Sequence, residues 1–360
     1  MPPYLLASLL SSLSFITLAF LSGVATAFQA TINARAALAL GAPSLATFFS
    51  FSSGCLLLSL LLPLLGGGLC WRARPSIPLL LPGVLGAAYV SLTNFLTPPL
   101  GFSAFFVSAV TAQLFAAAAM DATGWGGAAA APAPPLQPPA SAASCDGPAE
   151  LAPQPLAPAP PPRRLLPRAA ALCLAALGAG LAVSQGLTSP SQGGGAPALS
   201  SGAVAGCVLG AAAAGGLMVV QAALNRGAAA QLPSRAAATW WSFHCGVLAT
   251  MVVDGVEAGI RGLSLPHLAA FSAAPPYFFF LGGVLGVVVV FSSIRVTQAL
   301  GSQAYFTLAV CGQLSASAAI DEGGWLGAPV RPVAGVRAAG VALVALACGC
   351  MFLLGRGGAK

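Results

Sequence analysis

The segment AQLFAAAAMDATGWGG at residues 112–127 returns as GQLSASAAIDEGGWLG at residues 312–327, with nine of sixteen positions identical. It is one of several matches. QATINARAALALGAPSLATFFSFSSG at 29–54 aligns without gaps to QAALNRGAAAQLPSRAAATWWSFHCG at 221–246, an offset of 192. GVLG at 83–86 recurs at 283–286, an offset of 200, and PRAAALCLAALGAG at 167–180 resembles VRAAGVALVALACG at 336–349, an offset of 169. A chain that writes one pattern twice in the same order must fold as two related units. The drop in offset from 200 to 169 places an insertion of about thirty residues in the first copy only.

The matched segments are apolar, and several run for about 20 residues, the length that crosses a bilayer as a helix. Charged residues make up 6% of the chain and hydrophobic ones 58%, where a soluble domain carries about 25% charged residues. The chain is therefore read as an integral membrane protein of α-helices, since a barrel would show short alternating strands. Candidate helices lie near 10–33, 44–66, 78–97, 101–121, 165–184, 202–225, 235–256, 276–296, 302–321 and 335–354. Pro98 and Pro99 are expected to end the third. The first is kept as a span rather than a cleaved leader, because no basic residue precedes it and the repeat includes it.

The expected fold is an all-α membrane protein of ten spans in two five-helix repeats. The first repeat covers 1–187, with a Pro/Ala-rich insertion at 128–162 that has no apolar period and is read as disordered. A Gly-rich linker follows at 188–200, then the second repeat at 201–360. Five is odd, so the second copy enters the membrane the opposite way up, the inverted repeat of many secondary transporters. The net charge of +7 comes from 14 basic residues set singly or in pairs between apolar segments, a topology signal rather than a nucleic-acid footprint. Loops and termini on one side hold ten of them (Arg72, Arg74, Arg163, Arg164, Arg168, Arg226, Arg235, Arg295, Arg356 and Lys360), against Arg35, Arg261, Arg331 and Arg337 on the other. Both termini are thus expected in the cytoplasm.

Polar residues inside apolar helices are the candidate site. Gln29 and Asn33 share one helical face, as do Gln221 and Asn225; each pair is either hydrogen-bond glue between helices or the lining of a substrate path. Gln113 and Gln313 lie about eight residues before Asp121 and Asp321, which close the fourth helix of each half. Those aspartates either mark helix ends at the water boundary or act in gating or proton coupling. By inversion, Asp121 falls on the side of Gln221 and Asn225, and Asp321 on the side of Gln29 and Asn33. Asp254, Glu257 and Arg261 read as a solvated rim, His244 as a satisfied donor, and Arg295 as the one partly buried cation. Gly206-x-x-x-Gly210 and Gly282-x-x-x-Gly286 read as close-packing motifs. The nine cysteines, seven of them within apolar segments, read as small hydrophobes, and no spacing suits a metal.

The Q-A-x-x-N helix, the G-x-x-G third helix and G-Q-L-x-x-S-x-x-x-D followed by G-W-x-G resemble the YdcZ family of the drug/metabolite transporter superfamily. Gln221, Asn225, Gln313, Ser317, Asp321 and Trp325 carry the match in the second half; the first half departs at Ala112 and Ala117. The resemblance implies two fused five-helix exporter units in a bacterial inner membrane, while the insertion would equally suit a eukaryotic plasma or organelle membrane. No glutamate stands in the first helix of either half, unlike the multidrug exporters of the superfamily, so the coupling ion, proton or other, is open.

The expected function is alternating-access transport, as an exporter, of a small neutral or amphipathic metabolite or drug-like solute. The six amides would bind it and Asp121 and Asp321 would gate. The partners are the lipid bilayer, the solute and a coupling ion; no cofactor and no nucleic acid are expected, and the oligomeric state is open. Seven carboxylates, two histidines and no metal spacing argue against an enzyme. No phosphate-cradling Gly-rich loop with lysine occurs, the only lysine being Lys360, so the chain does not hydrolyse ATP. The alternative is a non-transporting membrane scaffold or receptor.

Overall fold

The computed structural model describes residues 3–64, 77–123, 165–188, 200–261, 275–332 and 335–356. The insertion at 128–162 and nearly all of the 188–200 linker lie outside these residues. The described residues form ten helices and one short 3-10 turn at Trp325–Gly327, with no strand among them. The first five are α1 (Pro3–Leu40), α2 (Pro43–Leu61), α3 (Ile77–Leu100), α4 (Phe102–Thr123) and α5 (Leu165–Thr188). They are followed by α6 (Ser201–Ala229), α7 (Arg235–Arg261), α8 (Tyr277–Leu300), α9 (Ser302–Gly323) and α10 (Gly335–Arg356). Seven of these, α1–α4 and α6–α8, are long and apolar enough to cross a membrane; the described apolar stretches of α5 and α10 are shorter, at Ala169–Leu181 and Gly335–Met351. The chain is thus an all-helical, multi-pass membrane protein, the architecture in which every backbone group is satisfied within its own segment.

Turn chemistry sets the boundaries. Gly41 (φ 63°) separates α1 from α2, and Pro43 opens α2, where its missing N–H costs nothing. Gly101 (φ 82°) and Gly301 (φ 85°), 200 positions apart, turn α3 into α4 and α8 into α9. Ser200 caps α6 by accepting from the Ala203 N–H at 3.2 Å. The expected stop at Pro98 and Pro99 falls just short: both sit in the last turn of α3, which ends at Leu100. Proline's fixed φ is already helical, so the helix forgoes two hydrogen bonds and runs on until the positive φ of Gly101 breaks it.

Packing exchanges partners between the halves. Helix α1 lies against α8 and α9, as α6 lies against α3 and α4; α2 packs on α7 and α8, as α7 packs on α2 and α3. Helices α4 and α9 pair with each other, as do α5 and α10. The tightest crossings are backbone on backbone: Gly23 abuts the Ala309 carbonyl and Gly215 the Ala109 carbonyl. Gly83 meets the Ser242 carbonyl just as Gly283 meets that of Ser50. Between the halves the rings of Phe51 and Phe243 stand 5.2 Å apart, Phe243 over Gly54 and Phe51 over Gly246.

The two glycine motifs separate. Gly282 and Gly286 are held against α1, but Gly206 has nothing near it and Gly210 faces only Leu96. The pattern is the same in both; only Gly282-x-x-x-Gly286 is in contact at both glycines among the described residues.

Candidate functional site

Gln29 and Asn33 point from α1 toward α8, one turn apart. A Cβ on Gly286 would lie 2.6 Å from Gln29 Nε2, and Asn33 Oδ1 abuts Gly282. Gln221 repeats this on α6, its amide nitrogen against Gly86 of α3. A Cβ at 86 would press on the Gln221 amide and lie 3.3 Å from the Phe51 ring, and one at 286 would press on the Gln29 amide and lie 3.2 Å from the Phe243 ring. The symmetry then breaks. Asn33 Nδ2 donates to Ser50 Oγ at 3.2 Å, whereas the equivalent Asn225 and Ser242 are buried with no partner on either side chain. Where Gly282 lets Asn33 approach α8, the equivalent position in α3 is Pro82.

Gln113 and Gln313 are wholly buried, at 0% exposure. Gln113 Nε2 contacts Met218 Sδ at 3.2 Å, a weak acceptor, and its Oε1 is unpartnered; both polar atoms of Gln313 are unpartnered. An unpaired buried amide group costs about 1–3 kcal/mol, so these four residues, Asn225, Gln113, Gln313 and Asn33 through its Oδ1, are expensive as packing alone.

The aspartates do something the sequence reading did not anticipate. Asp321, at the end of α9, accepts from the Ser103 N–H at 3.0 Å and from the Ser103 hydroxyl, at the start of α4. Asp121, at the end of α4, accepts from the Gln303 N–H at 3.1 Å, at the start of α9. Helices α4 and α9 are therefore antiparallel, each bringing a carboxylate to the positive N-terminal end of the other. Asp321 is not at a water boundary: it is 1% exposed and forms an ion pair with Arg337 of α10. Arg337 also donates to the Arg331 carbonyl at 3.1 Å. Burial lowers the pKa of Arg331, with Asp321 opposing and Arg337 adding to the shift.

The remaining charges rearrange likewise. Arg295, expected as the partly buried cation, is exposed, its guanidinium carbon 6.0 Å from the Phe15 ring. Among the described residues the buried cations are Arg226, near Asp121, and Arg337. The expected rim at Asp254 and Glu257 is half-buried, and buried Ser44 of α2 donates to Glu257. His244 stacks on Trp240 at 5.1 Å, with its Nδ1 3.9 Å from Cys55 Sγ.

Sequence reasoning missed Ser103, Arg337, Ser22 and the tyrosines. Tyr305 and Ser22 share a hydrogen bond of 2.8 Å, and the Tyr89 hydroxyl is buried without a partner. One signal was present for Arg337: it aligns with Arg168, so an arginine stands at that position in both copies. A cavity of about 890 Å3 lies between α4, α5 and α6, and none of the six candidate amides lines it.

The family model described as "Putative inner membrane exporter, YdcZ" matches residues 14–139 and again 206–350. No curated protein and no solved structure matches the chain.

Proposed function

The chain belongs to the YdcZ family, matched once in each half, and from that premise we propose that it is a secondary transporter exporting a small neutral or amphipathic solute. The family is one of membrane exporters rather than an enzyme class. The two halves act as inverted five-helix repeats that span the membrane ten times with both termini in the cytoplasm. They rock against each other about the α1–α8 and α3–α6 contacts. The membrane is the inner membrane for a bacterial chain, and the plasma or an organelle membrane for a eukaryotic one.

One observation carries the substrate site: the buried amide atoms of Asn33, Asn225, Gln113 and Gln313 that have no partner. Groups serving only as glue would be bonded to one another. A solute with hydrogen-bonding groups satisfies them, and Gln29 and Gln221 stand beside the pair of phenylalanines where such a solute would cross. Asp121 and Asp321 are the gates, because opening either side of the bundle must separate α4 from α9 at one of the two caps. A proton or another ion that competes for Asp121 or Asp321 would couple that separation to a gradient.

The second reading, a non-transporting scaffold, is favoured by the Phe51–Phe243 pair filling the space between the halves. A solute-dependent unfolding scan on purified protein separates the two. Binding raises stability by about 2.7 kcal/mol at one hundred times Kd. A solute that stabilises the wild type but not the Gln29→Ala/Gln221→Ala double variant supports transport; stabilisation of neither form by a broad panel of neutral metabolites and amphipathic drugs leaves the scaffold.

A further inference from the structure

The cavity between α4, α5 and α6 has no part in the site above, and the repeat explains why it exists. Its lining includes Ser108, Thr111, Ala112, Ala179, Val208 and Ala212. At the equivalent positions of the other half stand Leu308 for Ser108, Cys348 for Ala179, Ile16 for Val208 and Phe20 for Ala212. There the backbone of Phe20 is pressed against Gly312, the counterpart of Ala112. Phe115, opposite Ser315, runs the other way but is 43% exposed. The equivalent crevice thus carries larger side chains in one copy, where Phe20 is itself 37% exposed, and smaller ones in the other, which leaves about 890 Å3. That volume is within the roughly 300–1,000 Å3 of small-molecule pockets.

The lining also specifies chemistry. Among the described residues, no charged one borders the cavity. Its two hydroxyls have already committed their single protons: Ser108 Oγ donates to the Ala104 carbonyl at 2.9 Å and Thr111 Oγ1 to the Val107 carbonyl at 2.8 Å. What remains to each oxygen is the capacity to accept. Both sit one turn apart on the same face of α4, well inside a helix apolar enough to span the bilayer. A guest in the crevice meets acceptors only.

We infer that this crevice binds an uncharged, largely apolar molecule carrying one hydrogen-bond donor, an aromatic or aliphatic alcohol in chemical class, taken from the lipid phase. The inference does not depend on transport, since binding alone is read.

The test uses full-length protein in lipid nanodiscs, with 1-naphthol and naphthalene as probes and empty nanodiscs as the partition baseline. The expected result is saturable binding of one 1-naphthol per chain, preferred over naphthalene by about fivefold, the worth of one hydrogen bond. Ala212→Phe, which installs the residue the other copy already uses, should weaken 1-naphthol binding at least tenfold. Ser108→Ala with Thr111→Val, which removes both acceptors, should abolish the preference while keeping naphthalene binding; it carries the test if Ala212→Phe does not fold. Binding that does not saturate above the empty discs, or that persists unchanged in both variants, overturns the site. So does a wild-type dimer that Ala212→Phe converts to monomers without any probe binding, because the crevice is then a contact between copies.

Discussion

The backbone N–H of Ser103 donates to the carboxylate of Asp321 at 3.0 Å across an antiparallel pair of equivalent helices, and the N–H of Gln303 donates to Asp121 at 3.1 Å. Each half thus completes a helix end that belongs to the other. An aspartate in this position caps a helix from outside its own repeat; Asp321 also pairs with buried Arg337, and buried Arg226 stands near Asp121.

The ion pair gives the first prediction. Arg337→Ala leaves Asp321 buried with one partner fewer, and breaking a buried pair from one side costs about 3–5 kcal/mol. Replacing both, as Asp321→Asn with Arg337→Met, should cost less than the sum of the two single changes, with a coupling of roughly 0.5–3 kcal/mol. Thermal unfolding in detergent of the three variants against wild type measures it; additive losses would place the two side chains apart.

Glycine substitutions separate contact from pattern. Gly23→Ala and Gly215→Ala drive a methyl into a carbonyl that belongs to backbone and cannot swing away, so each should destabilise by about 1–3 kcal/mol. Gly206→Ala, in a motif of the same form but with nothing nearby, should be neutral or stabilising by up to about 1 kcal/mol. Midpoints of unfolding by denaturant rank the three.

The amide–glycine pairs should behave as interchangeable units. Gly286→Ala displaces the Gln29 amide and Gly86→Ala the Gln221 amide. Because the obstructing atom is the end of a flexible side chain, Gln29→Ala should restore most of the stability lost in Gly286→Ala, and Gln221→Ala most of that lost in Gly86→Ala. The same unfolding assay reads the restoration, and no recovery in either double variant contradicts the geometry.

Tyr305 supplies a prediction from the repeat itself, since the equivalent residue is Phe105 and the equivalent of Ser22 is Ala214. Tyr305→Phe strands the Ser22 hydroxyl and should cost about 1–3 kcal/mol; adding Ser22→Ala removes both partners and should recover most of it. Equal stability of the single and double variants would show that the hydroxyl pair contributes nothing.

Much of this was legible in the sequence because apolar length and repetition are strong, local signals. All ten expected helices occur, and α9 and α10 begin at the expected residues. The register of the repeat already paired Gln29 with Gln221 and Gly83 with Gly283. What stayed hidden depends on neighbours brought from other helices, most of them in the other half. Asp321 is followed by glycine and tryptophan, which read as a water boundary; its burial comes from Ser103 and Arg337, more distant in the chain than any local pattern reaches. Asp254 looked like a rim residue because Ser44 could not be seen opposite that helix end. Arg295 and Arg226 both stand near helix ends, and only packing decides that the second is buried. Pro98 followed a rule sound for helix interiors but weak in a final turn.

The exchange of partners has a consequence for the order in which the protein is made. Helix α1 leaves the ribosome before the helices that cover it, since α8 and α9 lie in the second half of the sequence. The N-terminal amides of α4 likewise wait for Asp321. During that interval the first half rests in the membrane with its inner faces turned to lipid or to itself. The synthesis of the second repeat is therefore when this protein acquires its core, and a ribosome that stops after the first repeat releases a product without the contacts between the halves.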